Sequence, residues 1–326
     1  MTSAAPRVLL FGATGSIGRA TAAALVELGF ACVAVLRPRR AARADDGLPA
    51  GVERRYADVT DAASLARDAF RGERFDAVIS CLASRSGAPK DAWAIDHRAQ
   101  SLILDEAQRI GIAQFVLLSA ICVQKPRLAF QHAKLAFETA LQASGIRYSI
   151  VRPTAYFKSL SGQVERVRSG KPFLIFGDGN LTACTPISDR DLARYLVDCI
   201  TDPARWNRVL PIGGPGPALT PRAQAALLFE LTGRPPRFRS VPPGLLSAIA
   251  GLLDALGVIL PPLRDKAEFA RIGHYYATES MLQWDAVAGR YDEAATPQFG
   301  RDTLREHYAR MLRGEIGDDR GEHAVF

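Results

Sequence analysis

The chain has 326 residues, 48% hydrophobic and 23% charged, with a formal net charge of +7. That balance excludes a disordered or collagen-like chain and leaves room for one large domain with a smaller lobe. The five cysteines stand apart, with no Cys-x-x-Cys pair, so they read as buried thiols of a reducing compartment and not as disulfides or metal ligands. No metal is expected. Residues 1–7 lead straight into the first strand without a signal peptide, which predicts a cytoplasmic protein. The positive charge would suit an anionic partner, but no basic helix or aromatic-interleaved patch accompanies it, so nucleic acid is not expected.

Residues 8–19 read Val-Leu-Leu-Phe-Gly-Ala-Thr-Gly-Ser-Ile-Gly-Arg, an apolar run ending in Gly12, Gly15 and Gly18, followed by an Ala-rich helical pattern over 20–28. Strand, tight turn and helix in that order predict a dinucleotide site. The first glycine makes the turn, the second admits a pyrophosphate, and the third lets helix and strand pack closely. The backbone around Thr14, Ser16 and Ile17, opening the helix, would face the phosphates. A second strand over 31–36 leads into Arg37-Pro38-Arg39-Arg40. An acidic residue here would serve a free ribose 2′-hydroxyl, whereas guanidiniums suit a 2′-phosphate, so Arg37 and Arg40 favour NADPH over NADH.

A short strand over 53–56 closes with Ala57-Asp58-Val59-Thr60. Asp58, beside Val59, meets the adenine edge or caps the helix starting near residue 62, and the two roles are compatible. A strand over 75–81 would carry Leu82 and Ser84 past the cofactor. A long helix over 91–110, a strand over 115–119, a helix over 128–143 and a strand over 148–152 complete the alternation. The pattern predicts a Rossmann-type α/β fold, a doubly wound parallel sheet whose ligands bind at the carboxyl ends of the strands. Ser84, Ser119, Cys122 and Pro153 fall on that rim.

Beyond Pro153 the alternation breaks into Gly-rich turns over 156–185, then a helix over 191–200 opened by Ser188 and a last strand over 209–212. We therefore expect an NADP-binding domain from residues 1–155 with about 186–235, and a substrate lobe from 156–185 with about 236–313. Residues 314–326 read as a weakly ordered tail. Residues 245–260, framed by proline pairs, are apolar almost all round with only Asp254 charged. They are too short to span a bilayer, which takes about 20 apolar residues. A buried helix, a lid over a large apolar ligand and a helix resting on a membrane surface all remain open, with the ligand lid preferred.

The whole pattern resembles the extended and atypical short-chain dehydrogenase/reductase superfamily, whose members carry Tyr-x-x-x-Lys on the helix after the fifth strand. There the resemblance implies a lysine holding the nicotinamide ribose and a tyrosine exchanging a proton with a carbonyl oxygen. This chain reads Phe130-Gln131-His132-Ala133-Lys134, which keeps the lysine and lacks the hydroxyl. Longer strings narrow the resemblance, among them Ser80-Cys81-Leu82-Ala83-Ser84-Arg85, Lys90-Asp91-Ala92-Trp93-Ala94-Ile95-Asp96, Val151-Arg152-Pro153-Thr154-Ala155-Tyr156-Phe157-Lys158 and Arg271-Ile272-Gly273-His274-Tyr275-Tyr276. They are similar to the NADPH-dependent divinyl chlorophyllide 8-vinyl-reductases, within the isoflavone-reductase-like branch, from the first strand to about residue 313.

The resemblance implies reduction of a vinyl group on a tetrapyrrole, in chlorophyll or bacteriochlorophyll synthesis. A vinyl conjugated to a macrocycle takes hydride at its terminal carbon, and the charge spreads into the ring. No oxyanion forms, so no tyrosine hydroxyl is required. Lys134 is then the catalytic-site residue and Tyr156 the preferred proton donor, while His132 falls on the opposite face of its helix. Phe130, Phe157, Lys158 and Tyr275 would contact the substrate, with Lys158 or Arg271 meeting its propionate. The location is cytoplasmic, with contact at a photosynthetic membrane surface left open. Competing readings are a non-catalytic NADPH-binding sensor and a reductase of a small conjugated enone.

Overall fold

The computed structural model describes residues 5–38, 46–260 and 262–317. The first half runs β1 (Arg7–Phe11), α1 (Ser16–Glu27), β2 (Ala31–Leu36), β3 (Glu53–Tyr56), α2 (Ala62–Ser64), β4 (Ala77–Ser80), α3 (Pro89–Ala92), α4 (Gln100–Arg109), β5 (Gln114–Leu118), α5 (Ala129–Ala143) and β6 (Arg147–Pro153). The second half runs α6 (Phe157–Leu160), α7 (Val164–Arg168), β7 (Phe173–Phe176), α8 (Asp189–Thr201), β8 (Arg208–Ile212), α9 (Pro221–Thr232), β9 (Phe238–Val241), α10 (Gly244–Gly257), α11 (Pro262–Thr278), β10 (Gln283–Asp285), β11 (Arg290–Asp292) and α12 (Leu304–Leu312).

Seven strands form one parallel sheet in the order β3-β2-β1-β4-β5-β6-β8. The order reverses between β1 and β4, the switch point where such sheets open a crevice for ligands. Val8, Leu9, Leu10 and Phe11 are all fully buried, as a central strand covered on both faces must be. One core layer packs α1 and α8 on the sheet, with Ala22 and Leu25 against Leu192, Ala193 and Leu196. The other layer joins Leu9, Phe11 and Val35 to Ile103, Phe115 and Phe137. The helix α1 starts at Ser16, not at residue 20, because the Arg19 N–H already closes its first turn on the Gly15 carbonyl at 2.9 Å.

Residues 156–185, read as turns, contain α6, α7 and β7. These elements are four or five residues long and are stable only through packing, so they carry no periodic signal of their own. Strand β7 pairs in parallel with β9, far away in sequence. Around that pair lies a separate core of Phe157, Val164, Val167, Ile175, Leu228, Phe229 and Tyr308. The helix α9 therefore packs into the lobe, a correction to the expected assignment of residues up to 235 to the sheet domain. Thr220 caps α9 at its start and Gly233, at φ +63°, ends it.

Candidate active site

The glycine turn sits at the switch point. Gly12 has φ +75°, and a Cβ there would stand 2.6 Å from the Cys81 carbonyl carbon. A Cβ on Gly18 would meet the Gly12 carbonyl oxygen at 2.1 Å. These two glycines let β1, α1 and the end of β4 close on one another. Gly15 differs, since its added Cβ would find only the Gly12 oxygen, at 3.5 Å, and its outer side is open. No side chain caps the start of α1, so its first N–H groups are free for an anion. Thr14 is exposed and Ser16 half-buried, whereas the Ile17 side chain enters the core and leaves only its backbone to a ligand. An open Gly15 between two closed glycines, at an uncapped helix start, fits a dinucleotide pyrophosphate.

Arg37 is exposed at the end of β2; Arg39 and Arg40 lie outside the described residues. Asp58 folds back on its own turn, accepting from the Thr60 hydroxyl at 2.6 Å and the Thr60 N–H at 2.9 Å. Those bonds, aided by the charge of Arg37, hold its carboxyl below the usual range. The cap of α2 belongs instead to Asp61, whose carboxylate accepts from the Ala63 and Ser64 N–H groups. Val59 is buried, as is Leu82, and Ser84 is half-buried. Replacing Arg37 by glutamate should raise the Kd for NADPH at least about tenfold, the worth of one charge-assisted phosphate contact, and leave NADH binding nearly unchanged. Titration of both nucleotides against the two proteins measures this, and an unaltered NADPH-to-NADH ratio would remove Arg37 from cofactor selection.

The helix α5 carries the next group. The Gln131 side-chain oxygen accepts from the Arg127 and Leu128 N–H groups at 2.7 and 3.0 Å, which anchors the first turn. Phe130 and Lys134, four apart, share a helical face. Lys134 Nζ lies 2.9 Å from Asp96 Oδ1, with the lysine side chain 12% and the aspartate side chain 1% exposed. Asp96 stands in a π-helical stretch, Trp93–Ala99, between α3 and α4. Its two oxygens also lie 3.3 and 3.4 Å from the Ser84 N–H. Ser119 turns inward, its hydroxyl donating to Glu138 Oε1 at 2.5 Å, and Glu138 in turn pairs with Arg152. Pro153 is buried at the end of β6, and His132 is exposed.

A turn over Ile121–Gln124 forms the wall above this helix, and α11 is lashed to it. Tyr275 is buried, and its hydroxyl donates to the Cys122 and Lys125 carbonyls at 2.9 and 3.1 Å. Lys125 binds Glu279 at 2.6 Å. That fastening commits Tyr275 to the fold and places its neighbour Tyr276 over the rim, its hydroxyl 3.8 Å from Cys122 Sγ. Burial pushes the Tyr276 hydroxyl well above the ordinary phenol range, although 38% of the residue is exposed. Tyr156 is also pushed up, first by burial and then by the nearby Asp189, Cys122 and Cys81. Burial raises the Cys81 thiol to about 12 and keeps Cys122 protonated as well. Phe157, expected at the substrate, packs instead in the lobe core with its ring 5.3 Å from His307. Lys158 is half-buried on α6.

The loop after β4 joins the rim to an apolar groove. A Cβ on Gly87 would meet Ile272 at 2.8 Å and Phe130 at 3.6 Å, so loop, α5 and α11 converge there. One residue earlier, Ser86 lines a groove of about 470 Å³ between α10 and α11, with Leu246, Ile249, Leu253, Phe269, Ala270 and Gly273. Asp265 and Lys266 supply its polar side. The volume falls in the range of small-molecule sites. Of α10, only Ala250 and Gly257 are buried, which overturns the reading of this segment as a buried helix. Arg271 is already engaged, binding Asp254 at 2.5 Å and Glu268 at 2.8 Å and so tying α10 to α11. Asp96 was not singled out as a site residue from the sequence, and neither was the α11 side of the groove. Each depends on contacts across long separations, and the short string containing Asp96 offers no local sign of its partner Lys134.

Residues 12–203 match the NAD(P)H-binding family. The chloroplastic divinyl chlorophyllide a 8-vinyl-reductase of Oryza sativa subsp. indica is 48% identical over 98% of this chain and 82% of its own length. That of Arabidopsis thaliana is 46% identical over 97% of this chain and 79% of its own. Among solved structures, an NADPH-dependent quinone oxidoreductase from Escherichia coli, complexed with NADPH, superposes with a TM-score of 0.68 at 18% identity, covering 94% of this chain and 99% of that one.

Proposed function

The chain belongs to the divinyl chlorophyllide a 8-vinyl-reductase family, and from that membership we propose that it reduces the 8-vinyl group of a divinyl chlorophyllide, or of a close divinyl tetrapyrrole precursor, to ethyl with NADPH. It is an oxidoreductase acting on a carbon–carbon double bond in chlorophyll or bacteriochlorophyll biosynthesis. NADPH supplies the hydride; a proton added to the neighbouring carbon completes the two-electron reduction.

The observation that carries the reading at the level of residues is Phe130 on the same helical face as Lys134. A hydride added to a conjugated vinyl leaves charge spread over the macrocycle, so the site has no oxyanion to stabilise and a phenylalanine suffices where carbonyl reductases need a hydroxyl. Lys134 holds the nicotinamide ribose. Gly12, Gly15 and Gly18 with the backbone of Thr14, Ser16 and Ile17 cradle the pyrophosphate, Arg37 and Asp58 flank the adenosine end, and Leu82, Ser84 and Pro153 line the crevice. The flat apolar ring system lies over Phe130 and extends past Gly87 into the groove between α10 and α11, where Lys266 meets a propionate. Tyr156, protonated at neutral pH as any tyrosine is, delivers the proton from the rim. Mixing protein, NADPH and divinyl chlorophyllide should move the Soret band to the blue with one NADPH consumed per substrate. Cofactor binding without any spectral change would favour the sensor reading, and turnover of a small enone alone would favour the other.

No helix among the described residues is long and apolar enough to cross a membrane. At the turn from α10 to α11, however, Val258, Ile259 and Leu260 are 73%, 80% and 57% exposed. So large an apolar tip beside Arg264 and Lys266 suits the headgroup boundary of an anionic membrane, from which a hydrophobic substrate could be drawn. The protein should co-float with vesicles containing anionic lipid, and replacing the three residues by serine should abolish flotation without slowing reduction of detergent-solubilised substrate. Equal flotation of both proteins would overturn this contact.

A further inference from the structure

The buried carboxylate of Asp96 has no assigned part in the chemistry, yet it touches two residues of the cofactor crevice at once. Its Oδ1 lies 2.9 Å from Lys134 Nζ, and both oxygens face the Ser84 N–H. The residue is 2% exposed and reaches the crevice from a π-helical stretch, whose widened turns recur at functional sites. A carboxylate this deeply buried costs solvation that one ion pair barely offsets, so its place is not explained by stability alone.

We infer that Asp96 is the positioning residue of the reductase, a charge partner that keeps the Lys134 site neutral while the nicotinamide becomes a cation. Hydride loss turns the neutral dihydronicotinamide ring into a positively charged pyridinium. A bare ammonium beside the ribose would oppose that change, and a lysine already paired with a buried carboxylate does not. Asp96 also fixes the ammonium at one end and the loop after β4 at the other, so both approach the nicotinamide in one geometry. The inference rests on the reading that Lys134 faces the cofactor, but it concerns oxidised against reduced nucleotide and not the tetrapyrrole.

Equilibrium titration of NADP⁺ and NADPH, with no tetrapyrrole present, tests it. Asp96→Asn retains the shape and one oxygen that can accept from Lys134 and the Ser84 N–H, as Oδ1 does here, but removes the charge. It should weaken NADP⁺ about tenfold or more while changing NADPH less than about threefold, because only the oxidised ring carries the opposing charge. Lys134→Met should move the ratio the opposite way, and the double variant, neutral again, should return it to within about twofold of the parent. If Asp96→Asn does not fold, Lys134→Met and the double variant decide the matter by themselves. Equal weakening of both nucleotides by Asp96→Asn would mean a purely structural carboxylate and overturn the inference. A ratio that none of the variants moves would show instead that Lys134 does not face the nicotinamide. A ratio moved by Lys134→Met alone would spare the site and remove only Asp96.

Discussion

Replacing Lys134 by methionine is expected to lower kcat for vinyl reduction at least about 100-fold, the usual cost of misplacing a reacting group by about an ångström, because the nicotinamide ribose loses the group that orients it, while KM for the tetrapyrrole changes little. The structure adds a second consequence. Asp96 would be left buried without its cation, and breaking a buried pair from one side costs about 3–5 kcal/mol. Thermal denaturation should therefore show a large drop for Lys134→Met. The double change, Asp96→Asn with Lys134→Met, should regain much of that stability and none of the activity. Circular dichroism melts and the Soret assay separate the two effects. A single variant that keeps most of its turnover would take Lys134 out of the chemistry.

Two of the three glycines of the β1–α1 turn, Gly18 and Gly15, should respond in opposite ways to the same added methyl group. In Gly18→Ala the new Cβ would lie 2.1 Å from the Gly12 carbonyl oxygen, so α1 must shift away from β1. Overpacking at a backbone contact in the central core costs about 3 kcal/mol, and the protein should lose both stability and NADPH binding. In Gly15→Ala the Cβ meets only one oxygen, at 3.5 Å, so the fold should melt within a degree or two of the parent. Its open side is where a pyrophosphate would approach, so NADPH binding should still fall at least about tenfold. Nucleotide titration alongside melting distinguishes the two. A Gly15→Ala protein with unimpaired binding would show that the phosphates do not approach the chain there.

Much of the nucleotide half was legible because its signals are local. The strand β1 is apolar from Val8 to Phe11, its turn is marked by Gly12 and Gly18, where a side chain would strike backbone, and the helix follows within a few residues. The seven-stranded sheet is a consequence of that alternation repeated. The lobe was far less legible. Its α6 and α7 are too short to show a helical period, β7 finds its partner β9 only after α8, β8 and α9 have intervened, and α11 was not anticipated at all. The side chains Tyr275 and Phe157, plausible at a substrate from their neighbours in sequence, are occupied by the fold itself: one hydroxyl is bound to two backbone carbonyls, and one ring is enclosed in the lobe core.

By itself the sequence determined the class of the molecule: the parallel α/β sheet, the dinucleotide turn, NADPH as the cofactor, and the retained lysine without its tyrosine. Those properties reside in residues a few positions apart, where steric permission and helical spacing act directly. Only the tertiary structure decided which charge faces Lys134, which of two adjacent tyrosines reaches the rim, and whether the apolar segment at 245–260 is buried or exposed. Each of these depends on groups far apart in the chain being brought within a few ångströms. Burial and Coulomb energy are set by the neighbours a side chain meets after folding, and no local pattern of residues specifies them in advance.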